Sequence, residues 1–132
     1  MSEFISYSEQ LAKQIHVLRL CLKDCGKGSV WERNPYLRSS KVKKSLVALH
    51  ESIERIIPCL MLFTAQYTKE VKDTHAMQRF YHSYAFLYDF NDGIKKEEYD
   101  HLILIQNQEM LLKFQNFFYQ SERILQDVKQ TR

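Results

Sequence analysis

The stretch 95–129, KKEEYDHLILIQNQEMLLKFQNFFYQSERILQDVK, decides the fold. Ile103/Leu104, Met110/Leu111, Phe117/Phe118 and Ile124/Leu125 recur at seven-residue intervals, with Phe114 and Val128 between them. An α-helix turns every 3.6 residues, so this period lays the whole set along one flank, whereas a strand would split it between two faces. The stretch predicts a single helix, roughly 50 Å long at about 1.5 Å per residue, with a seam suited to coiled-coil-like packing. A second row, Ile105, Leu112 and Tyr119, keeps the same interval and falls on the opposite side. The outer side of a helix in a lone bundle is normally polar.

Working toward the N-terminus, Asn91-Asp92-Gly93 reads as a turn. Before it, a third helix runs from a cap at Asp73 or Thr74 to about Phe90. On its wheel Phe80, Tyr81, Tyr84, Leu87 and Tyr88 share one arc, and Phe86 and Phe90 point away from it. A second helix begins near Ser39 or Ser40 and carries Val42, Leu46, Leu49, Ile53, Ile56, Leu60, Phe63 and Tyr67 in alternating four and three steps. Its phase survives Pro58, which predicts one kinked helix rather than two short ones. Within it, IIPCLMLF at 56–63 is apolar all round. Residues 26–38, GKGSVWERNPYLR, lack periodicity and read as a connection packed on the bundle. The first helix starts at Ser6, where Ser6-Tyr7-Ser8-Glu9 has the form of a capping box, and ends at Gly26.

Composition agrees with a few long helices. Only three glycines and two prolines occur in 132 residues, too few for the turns of a β-sandwich, and 45% of the chain is apolar. This size is expected to form one domain, 1–132, with a core of its own. Nineteen basic and sixteen acidic residues leave a charge of +3, too mild to demand a polyanionic partner. The three cysteines, Cys21, Cys25 and Cys59, do not make a disulfide framework. With no secretory pattern in MSEFISYSEQ, a cytoplasmic or nuclear, reducing location is expected.

Several chemical motifs fail on spacing. Asp89, Asn91, Asp92, Gly93, Ile94 and Glu98 follow the order of an EF-hand loop, but the loop is two residues short and loses the oxygen positions that calcium requires. His50 and Glu54 form an H-x3-E pair as in hemerythrin diiron sites, yet Arg79 stands four residues after His75, and Gln106 five after His101. Glu98-x-x-His101 is half of a ferritin-type site without its second copy. Cys21-x3-Cys25 lacks two further zinc ligands, and Cys25 belongs to the apolar stripe of the first helix. Arg79-Phe-Tyr-His82 is too short for the Arg–His pair of HEPN ribonucleases. No nucleophile triad, phosphate loop or paired-carboxylate signature is present, so no catalytic residue, metal or cofactor is expected and the chain reads as a non-enzyme.

Two binding readings remain. The first is an all-α, antiparallel four-helix bundle, with long second and fourth helices, that acts as a protein-interaction module: an adaptor, inhibitor or small regulatory subunit. It would bind a protein partner, with a second copy the simplest case, through Ile105, Leu112 and Tyr119, assisted by Phe86 and Phe90. The second is a helical nucleic-acid-binding protein, with Arg33, Arg38, Lys41, Lys43 and Lys44 on phosphates and Trp31 and Tyr36 stacking on bases. A membrane partner is not expected, because the longest uncharged apolar run, 56–65, is about half the length of a span.

Overall fold

The computed structural model describes residues 2–30, 35–95 and 108–130, with side-chain surroundings given for 3–23, 44, 47–93 and 109–130. It contains α1 (Ser2–Val30), α2 (Pro35–Glu70), α3 (Thr74–Tyr84), α4 (Phe86–Lys95) and α5 (Gln108–Gln130). Only Ala85 separates α3 from α4, so the two form one interrupted arm in an all-α, four-helix arrangement.

Over the described side chains, α1 and α2 contribute the stripes their spacing implies. Leu11, Ile15 and Leu18 of α1 are buried against Leu49, Ile53, Ile56, Leu60, Phe63 and Tyr67 of α2. The Phe4 ring lies 5.8 Å from that of Phe63 and 6.2 Å from that of Tyr67, which puts the start of α1 beside the end of α2. Phe80 of α3 joins three helices, with its ring 5.7 Å from Phe63 and 6.4 Å from Phe117 of α5. Aromatic pairs at such separations add about 0.5–1.5 kcal/mol beyond the area they bury.

Helix ends differ from the sequence reading in four places. The capping box at Ser6 does not form, because α1 already starts at Ser2; Ser6 instead accepts from Gln10 Nε2 at 3.3 Å. Burial of Phe4 accounts for the extra turn. Gly26 does not stop α1, which runs on through Gly28 to Val30; a mid-helix glycine costs about 1 kcal/mol, which tertiary packing can offset. α2 begins at Pro35 rather than at Ser39 or Ser40. Proline suits a first helical position, where its missing N–H would have no partner in any case. The expected 26–38 connection therefore shrinks to residues 31–34, which lie outside the described residues.

The fourth difference lies in α4. Asn91-Asp92-Gly93 is not a turn; α4 carries it in helical form to Lys95. The break comes earlier, at Ala85, where the Tyr88 N–H donates to the Ala85 carbonyl at 3.3 Å. Such an i→i+3 bond marks a tightened turn, while Ala85 itself keeps right-handed helical angles and the buried face continues in phase from Phe80 and Tyr84 to Leu87 and Phe90. Asp73 caps α3 as expected, its carboxylate accepting from the Ala76 N–H at 3.1 Å. α2 continues through Pro58 without interruption.

Candidate interaction surface

The outer face of α5 follows directly from its seven-residue period. Phe114, Phe117, Phe118, Ile124 and Val128 are buried, which turns Leu112 and Tyr119 outward at 62% and 56% exposure. Gln126 continues this row by another seven residues and is also exposed. The Arg123 guanidinium sits 5.7 Å from the centre of the Tyr119 ring. One turn along, Glu122 accepts from Arg19 of α1 at 3.0 Å, while the same guanidinium stacks 4.8 Å from the Phe118 ring. Two open clefts meet here. One, of about 360 Å³, is lined by Tyr119, Glu122, Arg123, Gln126 and Asp127. The other, of about 370 Å³, lies between α1 and α5 and shares Glu122 and Gln126 with the first.

Phe86 and Phe90, also expected at this surface, fall elsewhere. Phe90 is a correction: it is 1% exposed and belongs to the core. Phe86 is half-buried, its ring 5.0 Å from Phe114 and perpendicular to it. Both rings pack on Phe114 of α5, Phe90 in continuation of the spacing of Phe80, Ser83 and Leu87. Ile105 lies outside the described residues.

Two side chains that the sequence placed inward are exposed, because they lie at the edge of the arc that Phe80, Tyr84 and Leu87 bury. Tyr81 and Tyr88 stand out from the surface on either side of the buried Tyr84. The Tyr84 and Thr64 hydroxyls share a hydrogen bond of 3.1 Å that ties α3 to α2. One turn before Thr64, Met61 is 58% exposed. An open cleft of about 350 Å³ continues this seam at the α2–α3 corner, lined by Thr68, Met77, Tyr81 and His82 among others. Burial pushes the Tyr84 phenol above its ordinary pKa, against a smaller opposing pull from the Thr64 hydrogen bond. Tyr88 is raised as well, by burial first and by neighbouring Tyr81 second.

Where α2 meets α4, three polar side chains close on one another. Asn91 Nδ2 donates to Glu54 Oε1 at 2.9 Å, which turns Asn91 Oδ1 toward His50. A carbonyl oxygen only accepts, so His50 Nδ1 is the donor across their 2.7 Å contact. His50 Nε2 stands 3.6 Å from the same Glu54 oxygen. The H-x3-E pair of α2 thus joins Asn91 of α4 in a hydrogen-bonded contact between the two helices, with Glu54 half exposed. Among the described residues no group of three or more His, Cys, Asp or Glu side chains is placed to hold a metal. Burial raises the Cys59 thiol above its usual pKa, the opposite of what an activated nucleophile requires.

Of the basic cluster, Trp31 and Arg33 lie outside the described residues. Tyr36, Arg38, Lys41, Lys43 and Lys44 fall in the opening turns of α2, and Lys44 is exposed. No described helix is long and apolar enough to cross a membrane. No protein family, curated protein or solved structure matches the chain.

Proposed function

We propose that this chain is a non-enzymatic protein-interaction module, an antiparallel bundle bent at Pro58 that presents the outer face of α5 to a protein partner in the cytoplasm or nucleus. The observation that carries this reading is the exposure of Leu112 and Tyr119 in register on a helix whose opposite flank is filled with phenylalanine. Burying one such side chain contributes about 1.5–3 kcal/mol, and water has no matching use for them. Tyr119 has the character of an interface anchor: a large ring, an adjacent arginine and a cleft beside it able to receive a partner's side chain. Ile105 would extend the row. A second copy of the chain is the simplest partner, because a paired helix face needs no second gene product.

Leu112→Glu and Tyr119→Glu variants test this reading together with wild type. Circular dichroism checks folding, light scattering gives solution mass, and crosslinking in native extract reports heterologous partners. The expected outcome is a folded variant that loses its higher mass or its crosslinked partner. Folded variants with the wild-type mass and crosslinks would remove α5 from the interface. A titration with single-stranded and duplex oligonucleotides at two salt concentrations separates this reading from phosphate binding by residues 33–44.

A further inference from the structure

We draw no further inference here: the strongest candidate, the seam between α2 and α3 where Met61, Tyr81 and Tyr88 stand exposed around the Thr64–Tyr84 contact and above the corner cleft, carries nothing because nothing in the structure shows what covers it.

Discussion

The Phe90 ring meets the Phe114 ring edge to face, with centroids 5.2 Å apart and planes at 87°. Phe86 approaches Phe114 in the same manner at 5.0 Å and 89°, so two residues one turn apart on α4 hold the same ring of α5. Phe90→Ala is therefore expected to destabilise the chain by about 3–5 kcal/mol, the range for emptying a buried phenylalanine site. Phe86→Ala should cost less, because half-burial leaves water able to enter the vacated space. Denaturant unfolding of the two single variants and of each paired with Phe114→Ala measures this. The Phe90/Phe114 pair should be non-additive by about 0.5–1.5 kcal/mol. Phe90→Ala with wild-type stability would overturn its place in the core.

This pair also shows where a sequence reading ends. The burial of Phe114, Phe117, Ile124 and Val128 was legible, since a seven-residue period needs only helix geometry to be interpreted. So was the exposure of Leu112 and Tyr119, which follows from the same period half a turn away. Phe90 was misassigned although it stands three residues after Leu87 and continues the spacing of Ala76, Phe80, Ser83 and Leu87, a period that runs unbroken through Ala85. Asn91-Asp92-Gly93 misled for a different reason. Its residues favour a turn when exposed, but here Asn91 is 7% exposed and both ends of its amide are engaged by α2. Tertiary hydrogen bonds have outweighed local preference.

That engagement has a measurable consequence. Asn91→Ala removes the donor to Glu54 and the acceptor from His50, and is expected to cost about 0.5–1.5 kcal/mol, the net scale of a hydrogen bond whose remaining partners can turn to water. Nitrogen chemical shifts of the neutral His50 ring should report the hydrogen on Nδ1 in wild type. In Asn91→Ala the ring should revert toward a mixture of tautomers. A wild-type ring carrying its hydrogen on Nε2 would contradict the amide orientation.

Alkaline pH addresses the seam between α2 and α3. Tyr84 is raised by burial, so the folded chain holds its phenolic proton more tightly than the unfolded chain, whose tyrosines titrate near about 10. The sign follows from linkage: this contribution to stability is fully present below that value and is lost as pH rises toward the higher folded-state pKa. Tyr67 acts in the same direction, through burial first and then the carboxylates of Asp73 and Asp127. Unfolding free energy should therefore fall above about pH 10, and Tyr84→Phe should flatten part of that fall. The variant also gives up the hydrogen bond to Thr64, so its stability at neutral pH supplies the baseline. Parallel alkaline profiles for wild type and Tyr84→Phe would show that Tyr84 is not the group concerned.

The corner between α2 and α3 sets two neighbouring residues against each other. Lys72 sits at φ 60°, a left-handed conformation in which a β-carbon is crowded. Its N–H points back to the Tyr67 carbonyl at 3.4 Å, and the Val71 N–H donates to the same oxygen at 2.9 Å, so the last turn of α2 closes over this residue. Glycine is the usual occupant of such a position. Next in the chain, Asp73 caps α3. Lys72→Gly relieves the crowding but frees the unfolded chain, so a net change within about 1 kcal/mol is expected, favourable if relief of crowding is the larger effect. Lys72→Val should be clearly unfavourable, because a branched β-carbon tolerates positive φ poorly. Asp73→Ala should cost about 1 kcal/mol through loss of the cap alone. Thermal unfolding of the three variants orders them as Lys72→Gly above both Lys72→Val and Asp73→Ala. If Lys72→Val matched Lys72→Gly, residue 72 would not be held in the left-handed region, and the corner would need a different backbone path.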